Sequence, residues 1–554
     1  MFAAVPGGSD VPAETSGTAA QSPESRRVLD VREVVAQIDV LVTQSWSDHA
    51  LRPSMDATPG EWCRRLYLDT LGRIPTADEA QAYISLRKPT KRADLVRQLL
   101  SDDAHEVDYR RHWTTIWANL LIGRDGGEGT DNSVNRTALE EYLAIALRVN
   151  KPYDEMAYEL LTATGHNRPT HQPFNGAVNF LVGKLEDDGL QATTQTARLF
   201  LGQQLDCVQC HHHPFNEWKQ DRFWELNAFF RQTVALRRFD DDSRMVSAVE
   251  LANQDFGGEL GDPSQAVIFF EARNAELRRA FPVFPDGQPL SDRSGYLSAV
   301  DRRAELARWI RQSDELSRAL VNRMWAHFLG YGLVTPIDDM GPHNPPSHPE
   351  LLDYLSAQFR ASGCDLRQLM TWIVLSKPYA LSSRRVPGNA ADDPTGGEPP
   401  RFSRFYTRPM SAESLYESLL VATHADRTQV SADARDQSRR RWLQQFVLTF
   451  GTDEGDSATT FNGTIPQVLM MFNGPMMREA TRSDAGSVLD QAMRRGKRPQ
   501  QLAHLFWCGM ARAPVRQELQ AFDRLLTAHR GDAAAALQDM WWAVLNSNEF
   551  ILIH

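Results

Sequence analysis

The segment Cys207-Val208-Gln209-Cys210-His211 holds the residues of this chain best suited to chemistry. Two thiols three positions apart, followed at once by an imidazole, form C-x-x-C-H, the pattern for haem c attachment. About one helical turn separates the sulfurs, so each can form a thioether to one porphyrin vinyl while His211 lies under the iron as axial ligand. Other chemistry fits the same residues. Zinc could take Cys207 and Cys210 as thiolates and His211 or His213 as a nitrogen donor, with His343 or His348 brought in by folding. A redox dithiol would want a strand-to-helix setting, and helical patterns flank this segment on both sides. A buried thiol pair with hydrogen-bonded histidines is the structural alternative.

His212 and His213 follow directly. Axial ligands stand on opposite faces of a haem, and a residue two positions after His211 cannot reach round the ring. A distal ligand must therefore come from far along the chain, with Met340, His343 and His348 as candidates, or else the sixth position is open. These three lie in or beside Asp338-Asp339-Met340-Gly341-Pro342-His343-Asn344-Pro345-Pro346-Ser347-His348-Pro349-Glu350, a loop stiffened by its prolines. Ser347 and Glu350 are most simply read as capping a helix that starts near Pro349, while Asp339, His343 and His348 stand as second-site candidates. There is no G-x-S-x-G elbow, P-loop or H-E-x-x-H. Catalytic residues are not assigned, and whether the chain is an enzyme stays open.

The elements that must position these residues are mostly helical. Apolar residues recur at helical spacing from about Val31 to Arg124, and Thr76 with Glu79 forms a capping box. Ala197, Phe200, Leu201, Leu205 and Val208 continue that spacing into the cysteine segment and read as core. Between Val234 and Asp292 the pattern changes: Ala266 to Glu271 and Phe281 to Gly287 predict short strands and turns. Helical spacing resumes from Leu306 and runs, past a Pro/Gly-rich linker, from Ser411 to His554. Trp325, Trp372, Trp541 and Trp542 fall within helical patterns and read as core in preference to a sugar platform.

The prediction is a mainly α protein of two helical domains with a small β-containing insert between them. A disordered leader covers 1–29, a helical domain carrying C-x-x-C-H 30–233, the insert 234–295 and a second helical domain 296–554, with an exposed linker at 386–401. At 554 residues, with 42% hydrophobic and 24% charged, the chain is too long for one small core and too apolar for disorder throughout. Its 60 Lys and Arg against 71 Asp and Glu give −11, which argues against nucleic acid or an anionic membrane as partner. No apolar run approaches the length of a membrane span. Five scattered cysteines make no disulfide framework.

Arg198 to Phe230, through Phe200-Leu201-Gly202, Cys207 to His211, His213-Pro214-Phe215, Trp218 and Ala228-Phe229-Phe230, resembles a cytochrome-like domain of unknown function abundant in planctomycetes and related bacteria. Arg65 to Asp69, Gly72-Arg73 and Pro75-Thr76 resemble that domain's opening helices. The second half resembles its usual C-terminal companion, also of unknown function, through Val321-Asn322-Arg323, Gly332-Leu333-Val334, Asp338-Asp339, Asn344 to Leu352 and Asn546 to Phe550. The resemblance implies export to the periplasm, a haem link and association with polysaccharide breakdown; no signal peptide is visible, which leaves the cytoplasm open as a location. The leading expectation is a haem c-type redox protein with Cys207, Cys210 and His211 holding the cofactor and a redox protein or carbohydrate as partner. The alternatives are a zinc-stabilised binding or scaffold protein without haem, and a metal-dependent glycan-active enzyme using His343 or His348. Substrate and oligomeric state are not readable from the sequence.

Overall fold

The computed structural model describes residues 30–124, 133–215, 218–240, 245–291, 293–428, 431–450 and 465–554; the expected leader at 1–29 lies outside them. The protein is mainly α. Its first region is built on helices Val31–Asp48, Pro59–Leu71, Ala77–Ser85, Lys91–Ser101 and Asp103–Ile122, followed by Arg136–Arg148 and Tyr153–Thr162. Pro59–Leu71 shows why these boundaries fall where they do. Thr58 accepts the Glu61 amide at 3.2 Å, Pro59 takes the first helical position, and Gly72 ends the helix in the left-handed conformation at φ 66°. A Cβ on Gly72 would stand 2.3 Å from His112 Nδ1, so the close approach of helix Asp103–Ile122 also demands glycine there. The capping box of Thr76 and Glu79 forms as read from the sequence.

The insert is β-structured. Thr233–Phe239 pairs antiparallel with Val246–Asn253, from Thr233 opposite Asn253 to Phe239 opposite Val246, and Gly165–His166 of the first region extends the sheet on the far side of Val246–Asn253. A second hairpin pairs Ile268–Glu271 with Leu277–Ala280. Within the stretch read as short strands and turns, Phe281 to Gly287 supplies the turn, closed by a bridge between Val283 and Pro289; its prolines cannot donate to a ladder.

The second region contains Arg302–Gln312, Asp314–Leu329, Pro349–Ala361, Leu366–Leu375 and Ala412–Thr423, then helices that continue to Asn548–Ile551. The chain ends in strand, Leu552–Ile553 pairing with Arg408–Pro409, where helical pattern had been expected to the terminus. The 386–401 segment is less free than an exposed linker. Asn389 and Asp392 are buried, Asn389 Nδ2 donates to Ser54 Oγ at 2.9 Å, and Asp392 accepts from the amides of Arg401 and Ser403. These polar anchors were hidden by a composition that reads as loop.

One contiguous apolar core runs from Val34 to Ile553, so both helical regions share it. Trp325, Trp372 and Trp541 lie wholly inside, while Trp542 is 37% exposed. A buried polar cluster crosses the same seam. Asp69 accepts from Tyr379 Oη at 2.7 Å and from Arg408, and Arg65 reaches the carbonyls of Tyr379, Leu381 and His554 with its guanidinium 3.6 Å from the Phe405 ring centre. Among the described residues no helix is long and apolar enough to cross a membrane.

Candidate functional site

Leu190–Thr196 leads into one wide, π-helical turn, Ala197–Leu201, which Gly202 ends at φ 67°. The second region is stitched to this exit. The Met340 amide donates to the Gly202 carbonyl at 2.8 Å, Gln204 Nε2 donates to Asp338 Oδ1 at 2.6 Å, and Arg198 pairs with the other oxygen of Asp338. Burial pushes the Asp338 carboxyl up, but the Arg198 and Gln204 contacts outweigh it and hold the group below the usual carboxylate range. A Cβ on Gly202 would fall 2.6 Å from Met340 Sδ, so the side chain of Met340 fills the place of the missing one.

Beyond Leu205 the chain turns tightly. The amides of Cys210 and His211 both donate to the Cys207 carbonyl at 3.3 Å, while Val208 is wholly buried and anchors the turn. Cys207 is half-buried, Cys210 is exposed, and both are free thiols. Burial, with Asp206 and Asp339 adding negative charge, pushes the Cys207 thiol up. His211 Nδ1 lies 2.8 Å from the His212 carbonyl and donates to it, which leaves Nε2 as the nitrogen with a lone pair. His212 Nδ1 accepts the amide of Gln220, and the Phe215 ring is 76% exposed.

Of the residues expected from afar, one arrives. The His343 ring lies 5.5 Å from that of His213, and Asp339 Oδ1 accepts from His343 Nε2 at 2.9 Å, leaving Nδ1 buried without a partner. Burial and the neighbouring His343 and His211 lower the pKa of His213 against the opposing charge of Asp339. Met340 is buried in the core at Gly202. His348 does not join the cluster: it is 5% exposed, its ring lies 5.5 Å from that of Phe402, and burial with Arg401 nearby pulls its pKa down to about 4. Nor does Ser347 cap the next helix. His348 occupies that position without a side-chain cap bond, and Ser347 Oγ meets His348 Nδ1 at 3.0 Å instead. Pro349 does take the first helical position.

Among the described residues no group of three or more His, Cys, Asp or Glu is arranged to hold a metal ion. What the cluster offers is a pair of thiols and an imidazole on an open turn, with a carboxylate–imidazole pair alongside. Sequence reasoning missed Gln203, Gln204, Gln220 and Trp224, all of which hold the turn or its approach. Neutral amides and an indole carry no spacing signature, so nothing short of tertiary contact could have singled them out.

Residues 37–235 match the family model described as PSCyt2, protein of unknown function (DUF1549), and residues 302–439 match that described as PSD1, protein of unknown function (DUF1553). The two matches follow one another in that order along the chain. Neither curated proteins nor solved structures gave a match. Cys207 to His213 fall in the PSCyt2 region and Asp338 to His348 in the PSD1 region, so the cluster forms where the two matched regions meet. Both strands of the second hairpin fall in the stretch between the two matches.

Proposed function

We propose that this protein is a haem c-type redox protein, working outside the cytoplasm in electron transfer or an oxidation linked to polysaccharide breakdown. Cys207 and Cys210 would be the covalent anchors and His211 the proximal ligand. The observation that carries this reading is the turn itself: the His211 amide closes on the Cys207 carbonyl, and His211 Nδ1 is spent on the His212 carbonyl, which orients Nε2 as a metal ligand. The residues present suit the group. Cys210 is open to solvent for attachment, and the exposed Phe215 gives the neighbourhood an apolar surface. Haem bound there would supply a one-electron couple. The chain's own part is to fix the imidazole, bury Val208 beneath the turn and bring the PSD1 loop beside it. The printed name PSCyt2 agrees with a cytochrome-like character.

Export of the chain in a host competent in haem attachment tests this. A Soret band that stays with the polypeptide after acid–acetone extraction, and is lost in Cys207→Ser/Cys210→Ser, is the expected result; a colourless protein overturns the reading. The approach of His343 and Asp339 to His213 favours a second reading, a metal-stabilised scaffold tying the two regions together. About one zinc per colourless chain would mark it.

A further inference from the structure

We propose that the second β-hairpin of the insert buttresses the Cys207–His211 turn through two positioning residues, Gln220 and Trp224. Its consequence for a cofactor rests on the haem-attachment reading; the mechanical claim does not. The turn is weakly self-supporting, since its two closing hydrogen bonds are 3.3 Å long, beyond the usual 2.9–3.0 Å for an amide and carbonyl. Beyond the buried Val208 at its base, the turn gains further support from outside.

The Gln209 carbonyl, midway round the turn, receives two donors from the helix Gln220–Asn227: Gln220 Nε2 at 3.0 Å and Trp224 Nε1 at 3.2 Å. Gln220 is 3% exposed, and its second Nε2 hydrogen goes to the Glu271 carbonyl of the hairpin, also at 3.0 Å. That carboxamide therefore bridges turn and hairpin with both hydrogens used. Its backbone amide donates to His212 Nδ1, gripping the far end of the segment. Trp224 stacks on Phe270 of the hairpin, ring centres 5.6 Å apart and 13° from parallel. A separate small core of Ala228, Ile268, Phe270 and Ala280 fixes the hairpin to the same helix. Among the described residues both side-chain donors to the Gln209 carbonyl come from this one helix, and the same two side chains also meet the hairpin.

The test uses the full chain in two states. Without cofactor, the iodoacetamide alkylation rate of half-buried Cys207 is followed by mass spectrometry of its peptide. Gln220→Met, near in size but without donors, is expected to raise that rate about tenfold, the equivalent of the one buried hydrogen bond it takes from the Gln209 carbonyl. Trp224→Phe keeps the stack and gives a smaller rise, and the exposed hairpin variant Leu277→Ser gives none. Trp224→Phe stands as the deciding variant should Gln220→Met fail to fold. Wild-type rates in folded Gln220→Met and Trp224→Phe overturn the proposal. In the haem-loaded chain the same two variants are expected to shift the midpoint potential and Leu277→Ser to leave it alone, and an unchanged potential overturns the link to the cofactor. Should wild type take up no haem, the attachment reading fails while the thiol rates still decide the buttress.

Discussion

Two polar clusters stand where the PSCyt2 and PSD1 regions meet, and they are built on opposite principles. Around Asp69 everything is sunk in the core: Asp69 is 1% exposed, Arg65 is wholly buried, and burial pulls its guanidinium down to about 10. Around Cys207 the Cys210 thiol and the His212 imidazole are exposed, and Cys207 and His211 are only half-buried. Charges sealed away from water are retained where each has a partner that would be costly to remove. Groups left open, on a turn held from outside, are free to meet something else. The difference separates a polar cluster that fastens two regions together from one that is available for chemistry.

Breaking the fastening should give the largest effect. Asp69→Asn removes the charge facing Arg408 and is expected to cost about 3–5 kcal/mol, read as a large drop in melting temperature. If instead the melting temperature barely moves, the two clusters do not differ as argued. Acid comes next. His348 is held neutral by burial, with a folded pKa of about 4 against the ordinary 6.5, so the unfolded chain binds the extra proton between those values. Stability should be unaffected by this group above pH 6.5 and fall as pH drops toward 4, by on the order of 3 kcal/mol in the limit. His348→Asn, which also places a good cap at the start of Pro349–Ala361, should flatten that acid limb in melts recorded from pH 7 to pH 4. The smallest effect on stability belongs to the open cluster. Cys210 is exposed, so Cys210→Ser should change unfolding by less than about 0.5 kcal/mol; on the proposed haem reading it should also remove one of two covalent links, visible in the mass of the haem-bound peptide.

Legibility differed between the clusters for the same reason. Cys207, Cys210 and His211 fall within five residues, so their spacing alone carried the attachment pattern, and the buried stripe from Ala197 to Val208 was readable as core from its period. His343 was one of three distant candidates, and nothing in the loop distinguished it from His348, five residues on. Folding did: the short turn bridged at Gly341 and Asn344 brings His343 toward His213, while His348 begins a helix and is carried into the core beside Phe402. The Asp69 cluster was invisible because Arg65 and Asp69 lie more than 300 residues from Tyr379 and Arg408, and none of the four carries a spacing signature that pairs it with the others.

Local order set by period and turn chemistry was thus decided by the amino-acid order: the helices, the capping box at Thr76, the strand-rich stretch and the tight thiol–imidazole pattern. Which distant side chains share a neighbourhood was decided only in three dimensions, since burial and hydrogen-bond partnership depend on how helices stack and no chain spacing encodes that. His343 beside His213, Gln220 under Gln209 and Arg408 on Asp69 all belong to this second kind.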